Sequence, residues 1–446
     1  MRLFCAVGIA GLAASMTLAE PAVTPKTLNL SLKNAVDIGL AADGNVRVML
    51  ANQAIDEAEA RTRQARSAFF PTIDGAMSER NQTTNLKTFG FQFPTVPGFS
   101  VPLFVGPYNV FDARVSAQQS VLDFSILRRY RAAQANLSVA RLDSGSTRNQ
   151  VSDQIARAYL TCLRADAALE SARSNVDLSD ALVKLSNSQK NAGTGTGIEV
   201  TRSLVQLSND RTRLIIAQND RTRAALQLMK TIGLDMEVEL QFSDKLLPTP
   251  VDPGALDVSV DKAKKERAEL KTQRQKEAAA HLTYGAVQAE RLPTLGASGD
   301  YGSSGPEFNN SRATRSVGVS LKIPLFDGGR RAGRTSESLS QYEQERTRTH
   351  DLERQVELEV RLAYDSLNSA RTEVETATEG VTLAESELAQ ARRRYEAGVT
   401  NSIEVTDAQT RLARARDTRV NALYDYNLAR LDLATATGSI TEYVNQ

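Results

Sequence analysis

The sequence predicts a mainly helical chain with a smaller membrane-type β component, written as two copies of one structural unit. Three observations carry this. Features separated by one constant offset recur in the same order along both halves. Four stretches alternate apolar and polar residues with period two, at the length of transmembrane β-strands. Each half also holds a helical run too long for an ordinary globular domain.

The duplication rests on paired anchors. Ala158-Tyr159 recurs as Ala363-Tyr364, and Gly233 as Gly438. "KNAGTGTGIEVT" at 190–201 returns as "YEAGVTNSIEVT" at 395–406. "FFPTIDGAMSER" at 69–80 matches "RLPTLGASGDYG" at 291–302, and "SVLDF" at 120–124 resembles "KIPLFDGG" at 322–329. A unit of roughly 200 residues far exceeds a solenoid repeat. The expected organisation is a signal peptide at 1–19, a first repeat at 20–234, an equatorial connecting segment at 235–262 and a second repeat at 263–446.

Residues 1–19 read as a secretory signal. Arg2 supplies the positive start, Leu3 to Leu18 the apolar stretch, and Ala19 the small residue at the expected cleavage point. Cys5 lies inside this signal, too early for lipid attachment at its end. No later stretch approaches 18 consecutive apolar residues, so no transmembrane helix is expected.

Each unit opens with a lead helix, at 31–68 and at 256–290. Pro71 and Pro293 stop these helices, because proline lacks the N–H and disfavours helical backbone before it. Strand pairs follow at about 71–82 with 109–122, and at about 293–304 with 315–325. Phe111, Ala113, Val115 and Ala117 oppose Asp112, Arg114, Ser116 and Gln118. Leu295, Ala297 and Tyr301 oppose Thr294, Ser298 and Asp300. Val317, Val319, Leu321 and Ile323 oppose Ser316, Gly318, Ser320 and Lys322. Alternation alone favours an ordinary half-buried sheet. The loops at 83–108 and 303–314 fit the long outer loops of membrane barrels. Four strands cannot close a barrel, and open edges are forbidden in lipid. If these strands span a membrane, several chains must share the barrel, and three would supply twelve strands.

Long helices then occupy 127–190 and 335–397, neither of which contains proline. Return helices fit 198–230 and 403–436. Val200, Leu204, Leu207 and Leu214 follow four-three spacing, with Arg211 at the intervening position, which predicts a coiled-coil seam. Between the runs, Ala192–Gly197 and Ala397–Ser402 read as tight tips. Glycine supplies the left-handed backbone of a turn, and Glu199 and Glu404 suit the first turn of the next helix. Their polar outer faces fit solvent or a water-filled tunnel equally.

Composition removes several function classes. Lys and Arg number 54 against 53 Asp and Glu, without the basic excess of a nucleic-acid binder. Beyond the signal the only cysteine is Cys162, which forms no internal disulfide and no paired-cysteine metal site. His281 and His350 lack ligand-spaced partners, and no hydrolase, phosphate-loop or zinc-protease motif occurs. An enzyme, a cofactor and a bound metal are not expected.

The signal, the duplication, the strand pairs after "FFPT" and "RLPT", "PLFDGG" at 324–329 and "RYEAGVTNSIEVTDAQ" at 394–409 resemble the TolC-like outer-membrane efflux proteins. The resemblance covers essentially the whole chain beyond the signal. It implies a homotrimer in outer-membrane lipid: a twelve-stranded β-barrel continuous with a long periplasmic α-helical barrel. Residues 235–262 would join an equatorial belt. The tips would form a constricted entrance, where a periplasmic adaptor and an inner-membrane transporter dock. By position, Glu404, Asp407 and Glu199 match the family's aperture carboxylates, with glutamate replacing aspartate at 199 and 404. Tyr395 matches a gating tyrosine. Thr400 stands where the pattern has a basic residue, with Arg392, Arg393 and Arg394 nearby. Gly193, Thr194, Gly195, Thr196, Gly197, Gly398, Val399, Thr400 and Asn401 match the adaptor-contact tips. The function implied is the exit duct of a tripartite efflux pump exporting small molecules, beside a proton-driven transporter. The alternative is the outer-membrane channel of type I protein secretion, beside an ABC transporter.

Overall fold

The computed structural model describes residues 27–41, 43–90, 104–251 and 254–445. The expected signal peptide and the middle of the 83–108 loop lie outside the described residues.

Three tiers follow one another along the molecule. The first is an antiparallel sheet of β2 (Thr72–Asn85), β3 (Phe104–Leu122), β5 (Thr294–Gly305) and β6 (Arg312–Lys322), in the order β2-β3-β5-β6. The other strands, β1 (Thr27–Leu30) and β4 (Glu239–Phe242), form a separate parallel pair. The register gathers the apolar positions onto one face. Met77 lies opposite Ala113, Val115 opposite Tyr301, Ala297 opposite Val319 and Leu295 opposite Leu321. Most of that face is bare: Ile73, Met77, Val317, Val319 and Leu321 are exposed, while Phe111 toward its end is buried and packs edge-on against Phe308. The other face is polar, and Arg114 bridges Asp112 on its own strand and Asp300 across the sheet.

The second tier is short helices around the upper parts of long ones. They are α1 (Leu32–Leu40), α2 (Val46–Ser67), α5 (Leu256–Glu266), α6 (Ala268–Ala289) and α9 (Ile440–Val444). Each expected lead helix is therefore two helices. Between α1 and α2 the turn carries Asp43, Gly44 and Asn45, and Asn45 caps α2 by accepting from the Arg47 N–H. Between α5 and α6 the break falls at Arg267, without glycine or proline. There the buried guanidinium reaches Glu359 and Glu269, and the backbone follows it out of the helix.

The long helices are α3 (Phe124–Asn191), α4 (Gly197–Ile232), α7 (Arg330–Glu396) and α8 (Ser402–Ala436). With 68 residues, α3 would span about 100 Å at 1.5 Å per residue. From Val356 to the end of α7 the buried residues are Val356, Val360, Ala363, Leu367, Ala370, Val374, Ala377, Val381, Ala384, Leu388, Ala391 and Tyr395. Their spacing alternates four and three without a slip, which defines a heptad seam and a left-handed supercoil with α8. The alanines let the two backbones approach closely.

The seam of α4 differs from the expected one. Its buried positions toward the tip are Val200, Ser203, Leu207 and Asp210, while Leu204 is 48% exposed. Two frames one residue apart share Val200 and Leu207. The polar frame faces α3, where Asp210 accepts from Ser179, with Gln206 of its own helix as a second donor.

The parallel β1–β4 pair had no signal above its short length. It lies against α3, where the Tyr159 hydroxyl is 2.7 Å from Asp244 and 3.0 Å from the Leu30 carbonyl. Around it a core of Leu30, Val36, Val151, Ile155, Leu228, Ile232 and Leu240 joins β1, α1, α3, α4 and β4. Gly233 ends α4 at φ +74, and a Cβ there would fall 1.9 Å from the Gly44 carbonyl oxygen, so only glycine fits. Cys162 is buried, and burial pushes its thiol up to about 12, where it is unreactive.

Candidate functional site

The third tier is the pair of tips at the far end of the hairpins. Both are built alike. In the first, Gly193 has φ +76 and the Thr194 and Gly195 amides return to the Gln189 carbonyl, both at 3.0 Å. In the second, Gly398 has φ +70, and the Val399 amide reaches the Arg394 carbonyl at 2.9 Å. Each glycine thus closes a helix while satisfying carbonyls left open at its end. Of the three glycines in the first tip only Gly193 needs this backbone. Gly195 packs against Gln189, and Gly197 is already the first residue of α4.

The helices that leave the tips are capped by different chemistry. Glu199 accepts from the Thr196 amide at 2.8 Å and from its hydroxyl at 3.1 Å. On the other tip, Asn401 accepts from the Ile403 amide at 3.0 Å. The Thr400 hydroxyl donates to Glu404, and Arg394 approaches the same carboxylate at 3.4 Å. Thr400, found where a basic residue was expected, therefore serves Glu404 as a neutral donor, with Arg394 supplying the charge. Asp407 is exposed one turn further on.

The two tips touch. Arg202 donates to the Ser402 hydroxyl at 3.2 Å. The Thr196 backbone holds the Glu199 carboxyl below the usual range, and the Ser402 amide of the other tip and the Arg202 charge act in the same direction. Glu199 therefore faces the positive end of α8 as well as that of its own helix. Tyr395 makes the second bridge. Its ring is 3% exposed, its hydroxyl lies 3.4 Å from that of Ser186, and Gln189 donates to its carbonyl at 3.2 Å. Burial raises its phenol above the ordinary value. Leu182, Leu388, Val405 and Leu412 complete a small core beneath the tips. Among the named site residues, Glu199 and Tyr395 thus lie at the junction of the two tips, while Glu404 is held within the second tip by Thr400 and Arg394. Val399 and Ile198 stand exposed at the tips.

Sequence reading missed Arg202, Gln189 and Ser186, and placed Ser402 in the second tip without its bridge to the first. These bridges pair residues roughly 200 positions apart, and only the duplication hinted that the two tips would be neighbours. Among the described residues no group of acidic, histidine and cysteine side chains could hold a metal ion.

A sheet with a largely exposed apolar face, standing on helices about 100 Å long, is the architecture of a membrane channel with a long aqueous extension. The chain belongs to the outer membrane efflux protein family, whose pattern it matches over residues 38–234 and 259–439. Alkaline protease secretion protein AprF of Pseudomonas aeruginosa is 26% identical over 343 residues, covering 75% of this chain and 71% of its own. Outer membrane protein TolC of Vibrio cholerae is 24% identical over 303 residues, covering 65% of this chain and 68% of its own. Among solved structures, the outer membrane protein VceC from Vibrio cholerae shares the fold, with a TM-score of 0.77 at 20% identity, over 91% of this chain and 96% of that one. The protein is an outer-membrane channel that extends into the periplasm, and members of its family are channels rather than enzymes.

Proposed function

We propose that three copies of the chain close into one duct, the exit channel of a tripartite efflux pump that carries small molecules out of the cell. One observation carries the reading: both tiers are open at the same two sides. β2 and β6 are the free edges of the sheet. Near the sheet the helices run α2–α3–α6–α7, and near the tips α4–α3–α8–α7. β2 follows α2, and β6 precedes α7, so sheet edges and end helices coincide. The end helices carry exposed apolar residues: Leu50 on α2, Ile215 and Ile216 on α4, Leu358 and Leu362 on α7. An unpaired strand edge costs several kcal/mol per polar group in lipid. Pairing β6 with β2 of a second copy removes it, and the same contact covers α7 with α2 and α4. Three copies give twelve strands, within the range of closed membrane barrels.

In the closed ring the tips surround the entrance. Glu199, Glu404 and Asp407 from each copy make it acidic, which concentrates cations at a narrow mouth. Tyr395, with Ser186 and Gln189, ties the second tip to the first as the gating contact. The exposed turns at Gly193–Gly197 and Gly398–Asn401 form the adaptor-docking surface, with a proton-driven inner-membrane transporter behind it. The segment 235–262, with β4 and the start of α5, contributes to an equatorial belt around the long helices. The second reading, type I protein secretion beside an ABC transporter, is favoured by the likeness to AprF, a protein named for protease secretion.

A photoreactive residue at Thr196 tests both. Crosslinking in cells should capture a periplasmic adaptor, and the transporter recovered with it separates efflux from secretion. Efficient crosslinking that captures neither adaptor nor transporter would contradict tip docking.

A further inference from the structure

The chain passes between sheet and helices four times: α2 into β2, β3 into α3, α6 into β5 and β6 into α7. The register brings these passages to one level, since Thr72 pairs with Gln118, Leu122 with Leu295 and Thr294 with Lys322. Charge at this level is unlike that of the rest of the chain. Residues 61–71, 123–131, 286–293 and 323–334 hold ten arginines and three acids, an excess of seven positive charges in a chain whose net charge is +1. All three acids are engaged. Asp123 caps α3, Glu290 takes Arg129 and Arg334, and Asp327 pairs with Arg331. Arg63, Arg66, Arg131, Arg291 and Arg330 are exposed and form no ion pair among the described residues.

The same level carries exposed apolar side chains. Ile323 and Leu325 continue the outward alternation of Val317, Val319 and Leu321 past the end of β6, and Phe326 beside them is 89% exposed. On α3, Phe124, Leu127, Arg128 and Arg131 are spaced by three and four and so form one stripe, all four exposed. Arg128 donates to the Gly285 carbonyl at 2.7 Å and has no carboxylate partner among the described residues.

The side this stripe faces follows from the heptad frame of the helical wall, in which positions seven apart share one side. Phe124 and Arg131 share a heptad position with Tyr159 and Asp166, which face the β4 segment. The Tyr159 hydroxyl reaches Asp244, and Asp166 lines the groove beside Phe242. That segment belongs to the belt around the helices, so the stripe faces outward. In the order α2–α3–α6–α7 the stripe lies on a middle helix, and closure of the ring leaves it uncovered.

The arrangement suits the border of a membrane. Bare strand positions meet hydrocarbon on one side of this level, and helices meet water on the other. Between them guanidinium groups stand where phosphate headgroups lie, and paired N–H donors match phosphate oxygens. We propose that this arginine collar binds the headgroups of anionic phospholipids in the periplasm-facing leaflet, with Phe124, Leu127, Leu325 and Phe326 seated among the adjoining acyl chains.

The outward facing rests on the proposed belt and duct, so bound lipid and oligomeric state are read in one experiment. The purified full chain in neutral detergent is titrated with phosphatidylglycerol or phosphatidylcholine, and bound lipid is counted by native mass spectrometry. Wild type should bind phosphatidylglycerol about tenfold more tightly than phosphatidylcholine. Arg131→Gln should weaken that binding about fivefold, and Arg128→Gln combined with Arg131→Gln by about tenfold or more. Arg128→Lys combined with Arg131→Lys keeps the charge and should restore most of the binding, which a folding defect would not. Arg211→Gln combined with Arg223→Gln removes two exposed charges from α4, away from the sheet, and should change nothing. Equal binding of the two lipids, or equal loss in the two glutamine pairs, would overturn the collar. Displacement of the lipid by millimolar inorganic phosphate would also overturn it, by making the arginines a site for the free anion. A trimer without preference for phosphatidylglycerol would overturn the collar and leave the duct standing, whereas a monomer that keeps the preference would do the reverse.

Discussion

Removing the Glu199 carboxylate should loosen both tips, although it belongs to only one of them. In Glu199→Ala the Thr196 amide and hydroxyl lose the acceptor now at 2.8 and 3.1 Å, and the Ser402 amide loses a facing charge. Loss of a helix cap costs about 0.5–2 kcal/mol, and a charge at a helix N-terminus is worth about 0.3–1 kcal/mol when screened by solvent. A total of about 1–2 kcal/mol is expected, or roughly 5- to 30-fold faster local opening. Glu199→Gln keeps an acceptor and should lose only the charge contribution. The sign of the pH dependence is fixed by the depressed folded-state value. The ionised carboxylate stabilises the tip above the unfolded-state pKa, and that stability disappears as pH falls through the lower folded-state pKa. Wild type and Glu199→Gln should therefore converge in acid. Hydrogen exchange with peptide mass readout checks this, corrected for intrinsic rate at each pH. Protection should fall over 194–200 and also over 402–406. Unchanged protection over 402–406 in Glu199→Ala would refute the link between the tips.

Three other outcomes follow from the same geometry. Tyr395→Ala empties a buried ring site and should cost about 3–5 kcal/mol at the tip core, raising the open-state conductance of bilayer channels, whereas Tyr395→Phe loses only a long 3.4 Å contact and should change little. Arg394→Ala leaves Glu404 with Thr400 as its remaining partner here and should increase divalent-cation block of the channel, measured as a lower half-blocking concentration. Tyr159→Phe removes the hydroxyl that reaches Asp244 and Leu30, and should speed exchange over 27–31 and 239–244 by a factor matching about 1–2 kcal/mol, with the tips unaffected.

The sequence was informative where a period or a repeat carried the signal. Strand faces were legible because side chains alternate strictly, and the register observed places Val115, Tyr301, Val317 and Val319 on one face. The tips were legible because "AG" before "IEVT" occurs twice, and both glycines adopt left-handed backbone. The α4 seam was misread because Leu204 and Leu214 outweigh Ser203 and Asp210 in any hydrophobic pattern. The partners that let an aspartate into the seam, Ser179 on α3 and Gln206 one turn away, show no pattern in sequence. The break at Arg267 was invisible for a similar reason. It is set by Glu359, far along the chain, rather than by a local breaker. The break before Asn45 does carry a local turn sequence, "DGN" at 43–45, inside the lead helix expected over 31–68. The bridges Arg202–Ser402 and Gln189–Tyr395 needed three-dimensional placement, since nothing local pairs those residues.

The central claim is that sheet edge and helix edge close together around a three-fold axis. Native mass spectrometry of the detergent-extracted chain tests it most directly. The account predicts a single species of three processed chains that persists until the fold itself is lost. A folded monomer or dimer as the dominant species, with the β2 and β6 edges still protected from exchange, would contradict it.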